Sequence, residues 1–538
     1  MNSSSESELA FDCDVLVIGA GPVGLTMANL LGRYGVSAFL VEKNASTVTE
    51  PRAVSIDDES LRSMQALGLD REVIEGLNLD YGSDYLTPKG HVFASVHPKT
   101  REFGFPRRNA FHQPRLETTL RKGLDRFEHI KELFEHELDS LDQDGTGVTA
   151  KIVDRSGSFR LVRAKYVAAC DGASSHVRES ILKTKLEGST YDQKWIIVDL
   201  AETKNKYEHT QVFCNPKRPA ISLPGPGGTR RFEFMMKKGE SEKEALAPDN
   251  LSKMIGDISP DAESERVRTT VYGFHARLAE KWQEGRISLL GDAAHLSPPF
   301  AGQGMNAGIR DAFNYAWKLS VVVKKQIPDS LLTSYQAERK PHAQELIRMA
   351  IRMGKIMMPK NRVQGILTST GFRILDLYPP AKNYFTQMKY KPKPRFEKGF
   401  FVSDSKPKSI TLVGRMFPQP DVETSDGVSC RLDDLLGIDF SLIYLSASDT
   451  TAIAPVFLKS NTISLRQICI LPQHCVLPES TGVKYTRDHN GQLSEVFKHY
   501  RDQVILVRPD RYVALATPQH TDIRAQIESL IADCSFKN

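Results

Sequence analysis

The first change in hydrophobic pattern along the chain comes close to its start. Residues 15–18 form an unbroken apolar run, which predicts a buried parallel strand. The apolar positions over 25–32 have helical spacing, and residues 37–41 predict a second strand. We therefore expect a strand–helix–strand unit at the start of the fold.

Later patterns predict a mixed α/β chain. A β-meander is expected over 136–172, with turns at Asp144-Gly145 and Ser156-Gly157. Strands of a second sheet are expected over 195–200, 220–223 and 231–235, and helices over 52–69, 117–127, 306–324 and 331–358. Residues 382–408 are rich in lysine and proline and are interpreted as a linker. The tail from residue 409 has strands of its own and a closing helix.

Composition limits the possible classes of protein. The chain has 538 residues, enough for two to four domains, with 40% hydrophobic and 25% charged residues. A formal charge of +5 gives no case for nucleic-acid binding, and no apolar stretch predicts a membrane helix. Seven scattered cysteines without metal-ligand spacing predict a reducing, cytoplasmic compartment and no metal site, and no signal peptide is recognised.

The turn after the first strand carries a dinucleotide-binding pattern. Gly19, Gly21 and Gly24 form G-x-G-x-x-G, in which glycines permit a tight turn, close approach of a pyrophosphate, and close packing of helix on strand. Glu42, followed by Lys43, ends the second strand, where a carboxylate can bind ribose hydroxyls. The alternative is a glycine-rich turn in an ordinary βαβ unit.

Two further turns favour a flavin over a nicotinamide. Asp171-Gly172 follows one predicted strand, and Gly291-Asp292 follows another, where a carboxylate can bond ribityl hydroxyls. A second glycine loop at 302–304 precedes a helix that starts near Met305 or Asn306. A helix N-terminus there suits the negative charge of a reduced flavin.

These turns together resemble the class A FAD-dependent aromatic hydroxylases, of the phenol hydroxylase or 3-(3-hydroxyphenyl)propionate hydroxylase type. The resemblance spans nearly the whole chain and includes the stretches "PRAVSIDDESLRSMQALGL", "PRRNAFHQPRLE", "YDQKWIIVDL" and "GDAAHLSPPFAGQGMNAG". It implies a Rossmann-like FAD-binding domain with an inserted β-sheet substrate domain. The tail resembles the thioredoxin-like C-terminal domain of this family, although it lacks a CxxC pair.

The resemblance and the patterns together give a division of the chain. We expect FAD-binding segments at 1–190, which include some substrate-domain segments, and at 276–381. The β-sheet substrate domain is expected at 191–275, the linker at 382–408, and the thioredoxin-like domain at 409–538.

The resemblance also assigns residues to the site. It implies that the flavin is held by a set of turn and helix-start residues: Gly19, Gly21, Gly24, Glu42, Lys43, Arg52, Gln113, Asp171, Gly291, Asp292, Pro299, Gly304, Met305 and Asn306. The candidates for a catalytic role are Arg231, Glu233, Tyr272, His275 and Asp57. For each of these a purely structural role stays open, as a solvated strand residue, a strand-end aromatic or a partner of a helix dipole.

The activity implied is hydroxylation of a phenolic acid ortho to its hydroxyl, with FAD as cofactor, NADH or NADPH as co-substrate, and O2. In this family the reduced flavin adds O2 at C4a, and the hydroperoxide transfers oxygen to the ring. The partners expected are a small aromatic substrate, O2 and, in a possible homodimer, a second copy. Three alternatives remain: a hydroxylase of larger polycyclic aromatics, a nicotinamide-dependent dehydrogenase, and a non-catalytic binder on the same fold.

Overall fold

A computed structural model of the chain describes residues 10–446, 456, 458, 463–477 and 483–533. The strands, in chain order, are β1 (Cys13–Ile18), β2 (Ala38–Glu42), β3 (Ser55–Asp57), β4 (Leu77–Asn78), β5 (Ser83–Leu86), β6 (Val92–Val96), β7 (Arg108–Phe111), β8 (Ile130–Phe134), β9 (His136–Gln143), β10 (Val148–Asp154), β11 (Phe159–Ala169), β12 (Leu186–Leu200), β13 (Thr210–Phe213), β14 (Ala220–Pro224), β15 (Arg230–Met235), β16 (Arg266–Ala279), β17 (Gln283–Glu284), β18 (Ile287–Leu289), β19 (His295–Leu296), β20 (Asp421–Thr424), β21 (Ser429–Arg431), β22 (Phe440–Leu445), β23 (Leu465–Leu471), β24 (Lys484–Asp488), β25 (Gln503–Val507) and β26 (Val513–Pro518).

The α-helices surround and separate the sheets. In chain order they are α1 (Pro22–Arg33), α2 (Asp58–Leu67), α3 (Asp70–Ile74), α4 (Gln113–Lys122), α5 (Glu242–Ala245), α6 (Pro248–Gly256), α7 (Gly304–Val323), α8 (Ser334–Met357), α9 (Arg362–Asp376), α10 (Pro379–Thr386), α11 (Leu432–Leu436), α12 (Ser494–Tyr500) and α13 (Ile523–Ala532). Among the described residues, none of these helices combines the length and the apolar character that a membrane span requires.

The first sheet is built on parallel strands. Its order is β17-β18-β11-β1-β2-β8, and β1 is parallel to both β11 and β2. The predicted meander is formed by β9, β10 and β11, which attach an antiparallel extension to the parallel centre. Helix α1 is buried over most of its length and packs beside α7. This arrangement places the amino ends of both helices at the carboxyl ends of β1, β11 and β18, where open α/β sheets bind ligands.

The second sheet covers the opening at those strand ends. Its order is β19-β16-β12-β15-β14-β13-β5-β6, so β5 and β6 join strands that come more than a hundred residues later. Strand β15 alternates as its sequence predicts: Phe232 and Phe234 pack into an apolar cluster, whereas Glu233 faces the cavity between the sheets.

A third sheet forms the C-terminal domain, with the order β21-β20-β24-β23-β22-β25-β26. Buried ion pairs dock this domain on the rest of the chain. The Asp433 carboxylate accepts from Arg62 at 2.7 and 2.8 Å and from Arg511 at 2.8 Å. The Glu338 carboxylate of α8 accepts from Arg508 at 2.7 and 2.8 Å.

Several element boundaries differ from the sequence predictions, among them the start of β12 at Leu186, and three of the differences have clear local reasons. The helix predicted from residue 52 begins only at Asp58, because residues 55–57 pair in β3 and the Asp57 side chain caps α2 by accepting from the Ser60 amide at 3.0 Å. Helix α4 begins four residues earlier than predicted, where a proline occupies its first turn. Within the predicted linker, α10 continues to Thr386 and Lys391 is buried, so this lysine-rich segment packs against the core.

We expect Asp433→Asn to weaken folding, because it leaves the buried Arg62 and Arg511 without their shared counter-charge. A broken buried pair costs about 3–5 kcal/mol, measurable as a lower urea midpoint. The paired arginines lower the pKa of Asp433 to about 2. The wild-type advantage should therefore hold above about pH 4, the ordinary aspartate range, and shrink as the pH falls toward 2. Asp434→Asn, at the exposed neighbouring position, is the control, and equal midpoints for the two variants would contradict the prediction.

Candidate active site

The glycine loop is shaped by contacts that a side chain would block. Gly19 has φ +97°, and a Cβ there would lie 2.5 Å from the Cys170 carbonyl oxygen. A Cβ on Gly24 would lie 1.8 Å from the Gly19 carbonyl oxygen. In contrast, a Cβ on Gly21 would meet nothing within 4 Å. Two glycines therefore permit close packing, and the third leaves open space in front of the first turn of α1.

Two helix N-termini open into the same cavity. Helix α1 starts just after Gly21, and α7 starts at Gly304; neither has a side-chain cap. Their first-turn amides are thus available for an outside acceptor, and the helix dipoles favour a negative one. A pyrophosphate at α1 and an anionic ring edge at α7 are the two groups of a flavin dinucleotide that suit such positions.

The cavity has a volume of about 430 Å³ and lies between the first and second sheets. Its lining brings together nine of the residues singled out from the sequence: Gly21, Arg52, Gln113, Glu233, His275, Asp292, Pro299, Gly304 and Met305. The other candidates lie outside the lining: Gly19, Gly24, Glu42, Lys43, Asp57, Asp171, Arg231, Tyr272, Gly291 and Asn306.

Carboxylates and an amide organise the loops around the cavity. Glu42, at the end of β2, accepts from the Ala20 amide at 2.8 Å and so ties the glycine loop to the second strand. Gln113 accepts from the amides of Arg52 and Ala53 at 3.0 and 2.7 Å. Lys43 is exposed beside Glu42.

Two aspartates follow strands of the first sheet. One oxygen of Asp171 accepts from an amide of the following turn at 3.1 Å, and its other oxygen is buried without a hydrogen-bond partner in the described structure. Burial raises the pKa of Asp171. The Asp292 side chain is exposed to the cavity. Desolvation by the protein around it raises its pKa as well. Of the two, Asp292 lines the cavity and is available to hydroxyls of a bound ligand, whereas Asp171 lies behind the lining.

The start of α7 is fixed by Asn306. Its amide nitrogen donates to the carbonyls of Ser55 and Gly302 at 3.0 and 2.7 Å, and its oxygen accepts from the Asp57 amide at 3.1 Å. Asp57 itself pairs with Arg310 at 2.8 Å and with Lys391 at 3.0 Å. These two cations hold the pKa of Asp57 well below its ordinary value although burial alone would raise it, and the residue belongs to a buried ion-pair cluster.

Glu233 is the carboxyl group that the second sheet presents to the cavity. Burial raises its pKa to about 7, against the opposing effect of Arg231. Arg231 lies beside it but does not line the cavity: it pairs with Asp199 at 2.6 Å and donates to the carbonyls of Pro51 and Arg52. Arg231 therefore holds the loop that carries Arg52 to the cavity.

Strand β16 supplies the remaining two candidates. His275 lines the cavity, and burial lowers the pKa of its imidazole. Tyr272 accepts a hydrogen bond from Arg268 at 2.6 Å. The two residues are three positions apart on one strand, so strand alternation places them on opposite faces.

The cavity also has walls that were not foreseen. Tyrosines, methionines and one arginine line it on the side of the second sheet and α8: Tyr81, Tyr85, Tyr390, Met349, Met353, Met357, Met388 and Arg108. The three methionines of α8 recur every four residues, a signal for one helix face that does not by itself distinguish a cavity from a core. Arg108 lies within the motif "PRRNAFHQPRLE", five residues before Gln113.

Known families cover both parts of the chain. The model of the FAD binding domain family matches residues 12–350, and that of the HcaD C-terminal domain family matches residues 414–533. The chain belongs to the FAD-dependent aromatic monooxygenases.

Curated relatives of this monooxygenase match along almost its whole length. It is 39% identical over 96% of its chain to a 3-(3-hydroxy-phenyl)propionate/3-hydroxycinnamic acid hydroxylase of Klebsiella pneumoniae (strain 342), of which 94% is covered. It is 38% identical over 94% of its chain to the corresponding hydroxylase of Shigella sonnei (strain Ss046), of which 92% is covered.

Solved structures share the fold of the monooxygenase. The flavin-dependent monooxygenase PieE, in complex with FAD and substrate, matches with a TM-score of 0.80 at 20% identity, over 98% of this chain and 99% of that one. Aklavinone-11 hydroxylase, in a ternary complex with FAD and aklavinone, matches with a TM-score of 0.78 at 23% identity, over 98% and 100%.

The residues present fit FAD. The open space at Gly21, the two uncapped helix starts and the Asp292 carboxyl group on the cavity wall meet the needs of a dinucleotide whose ring edge becomes anionic. The cofactor of this monooxygenase is FAD, and its co-substrate is NADH or NADPH, as is typical of the class.

If Asp292 bonds the ribityl chain, Asp292→Ala should weaken FAD affinity roughly tenfold to a hundredfold, the loss typical of hydrogen bonds to a bound partner. FAD fluorescence on titration of the apoprotein measures this. Asp249→Ala, at an exposed position of α6, is the control and should bind FAD like the parent. An Asp292 variant that folds and keeps full FAD affinity would remove Asp292 from the site.

Proposed function

We propose that the monooxygenase hydroxylates a hydroxyphenyl-alkanoic acid ortho to its phenolic hydroxyl, with NAD(P)H and O2. The observation that carries this is the 38–39% identity, over nearly the full length, to hydroxylases named for 3-(3-hydroxyphenyl)propionate and 3-hydroxycinnamic acid. The solved structures at 20–23% identity share the fold only.

The cavity supports a small substrate. At about 430 Å³ it is near the lower end of ligand-binding cavities, and it has to admit a flavin ring as well. Its walls are aromatic rings and methionine side chains, which pack well on a single planar ring. These walls favour a single-ring substrate over the first alternative, a polycyclic one.

Bound FAD supplies the redox chemistry, because it accepts electrons from NAD(P)H and activates O2. The chain's own residues keep water out and handle the phenol proton. The apolar walls exclude water, which would otherwise divert the reaction. Glu233 is our candidate for the base that accepts the phenol proton, since its pKa of about 7 suits proton transfer at neutral pH. His275 is the alternative base on the same cavity.

The direct test uses the purified holoenzyme and a ligand panel: 3-(3-hydroxyphenyl)propionate, 3-hydroxycinnamate, a naphthol and a hydroxyanthraquinone. We expect the two acids to stimulate NADH or NADPH consumption and to gain one oxygen atom ortho to the hydroxyl, as read by mass spectrometry and NMR. Stimulation by the polycyclic phenols alone would favour the first alternative. Bound FAD with no stimulation by any phenol would favour a non-catalytic binder.

Glu233→Gln should lower kcat/KM by roughly a hundredfold, the low end of general-base contributions. Because the carboxylate form is the base, wild-type kcat/KM should rise with pH through about 7, and the variant should lack this rise. Glu265→Gln, an exposed neighbour of β16, should keep it. If the rise persists in Glu233→Gln, the base is another group, and His275→Gln is the next variant.

Arg231→Met should slow flavin reduction or release hydrogen peroxide in place of product, with FAD still bound. The variant removes the ion pair with Asp199 and the two bonds that hold the Pro51–Arg52 loop at the cavity. The measurement compares NAD(P)H consumed, peroxide formed and product formed. Arg218→Met is the matched control and should couple like the parent, since Arg218 pairs with Glu240 at 2.6 Å outside the cavity lining. Wild-type coupling in Arg231→Met would make Arg231 an ordinary strand residue.

The finer features of the molecule stay proposals too. A thioredoxin-like origin of the C-terminal domain is supported by its sheet, in which parallel β22, β23 and β24 adjoin antiparallel β25 and β26. A homodimer and a cytoplasmic location remain predictions; the cysteines of the described residues are free thiols. The division of the chain at residues 190, 275, 381 and 408 likewise remains a prediction.

A further inference from the structure

Arg108 is a cavity-lining cation at the first position of β7. Its guanidinium donates to the Ser83 hydroxyl and, at 3.4 Å, to the Tyr81 hydroxyl, and it lies 4.8 Å from the centre of the Tyr81 ring. These two bonds use two of the five N–H donors of an arginine. The rest of the guanidinium lies at the cavity, among the aromatic residues of its wall.

Three other arginines near the cavity are each paired with an acid. Arg231 pairs with Asp199 at 2.6 Å, Arg268 with Glu50 at 2.9 Å, and Arg310 with Asp57 at 2.8 Å. For Arg108, no ion pair with a carboxylate is found in the described parts of the chain. Its main electrostatic partners are the hydroxyls of tyrosines, which raise its pKa although burial opposes them. Arg108 is partly buried, and a charge withdrawn from water without an ionic partner is costly. A ligand that supplies an anion would complete its environment.

The position of Arg108 separates it from the cofactor residues. Its hydrogen-bond partners are Ser83 in β5 and Tyr81 just before that strand, both on the side of the second sheet. Arg52, the other arginine of the lining, lies close enough to Asp292 to act on its carboxyl group, at the carboxyl ends of the first sheet. The two cations thus serve different ends of the cavity.

We propose that Arg108 binds the carboxylate of the phenolic acid substrate, with Ser83 and Tyr81 holding its guanidinium in place. This inference rests on the proposed function, since it concerns the same substrate class. A planar guanidinium can bind a carboxylate through two parallel hydrogen bonds, which fixes orientation as well as affinity. The acid side chain is then anchored at the second sheet, and the phenol ring is left to the part of the cavity shared with Glu233 and the cofactor residues.

The test measures equilibrium binding to the FAD-loaded enzyme by calorimetry, with three probes. These are 3-(3-hydroxyphenyl)propionate, the uncharged 3-(3-hydroxyphenyl)propan-1-ol, and 3-phenylpropionate, which keeps the carboxylate and lacks the phenol. Arg108→Met should raise Kd for both acids roughly tenfold to a hundredfold and leave Kd for the alcohol nearly unchanged. Arg108→Lys should retain part of the acid affinity, because it keeps a point charge without the planar fork.

Arg218→Met is the matched control. Arg218 pairs with Glu240 at 2.6 Å, outside the cavity lining, so its loss should alter none of the three Kd values. Equal weakening of acid and alcohol by Arg108→Met would mean that Arg108 only shapes the wall, and unchanged acid binding would also overturn the proposal. If the methionine variant does not fold, the wild type decides: equal affinity for the acid and the alcohol overturns the proposal.

The proposed function fails in a different way. If Arg108-dependent binding of both acids is found but no hydroxylated product forms, the carboxylate site stands and the proposed reaction falls. If product forms and Arg108→Met binds the acids like the parent, the reaction stands and the assignment of Arg108 falls.

Discussion

The close approach of α1 to the first sheet is the constraint on which the cavity depends. It is possible only because Gly24 has no side chain where the Gly19 carbonyl passes. Helix α7 makes a similar close approach to α1 and to the turn after β18. A Cβ on Gly308 of α7 would lie 2.5 Å from Val23 and 3.0 Å from the Cα of Gly291. Because both helices pack this tightly, their two amino ends open side by side into one space.

Charged side chains are fully paired where the C-terminal domain docks, and incompletely paired in the cavity. At the docking surface of the C-terminal domain, Asp433 and Glu338 meet arginines in hydrogen-bonded pairs. Within the cavity the balance is left incomplete, because Glu233 keeps a raised pKa and Arg108 faces tyrosines in place of an acid. A folded chain tolerates such incomplete pairing where a bound molecule completes it. The contrast between the two regions is the physical argument for a binding site here.

Local signals made much of the flavin-binding frame predictable. The glycine loop, the turn at Gly291-Asp292 and the start of α7 are defined by residues close in sequence, and each is where its pattern indicated, within two residues. The alternation along β15 was likewise readable, which placed Glu233 on the opposite face from Phe232.

The walls of the cavity could not be predicted, because they come from distant segments. Arg108 meets Ser83 only after β7 and β5 have joined different sheets, and Met353 arrives from a helix hundreds of residues later. The buried state of Lys391 was equally hidden, since its partners Asp57 and Glu59 lie more than three hundred residues away. A lysine-rich composition normally indicates solvent exposure, and here tertiary ion pairs overrode it.

The two long strands β12 and β16 pair from Leu186 and Ala279 to Leu200 and Arg266, with irregularities in register between Thr190 and Lys194 and between Asp199 and Leu200. The second sheet is therefore connected to the rest of the protein by two long paired strands and not by a single hinge loop. To exchange this sheet between relatives, one would have to cut β12 and β16 at residues that pair with each other and then restore the register of the two strands. The C-terminal domain instead continues from α10 along a single chain segment, so its exchange would need one cut in the chain and the preservation of its ion pairs with Arg62 and Glu338.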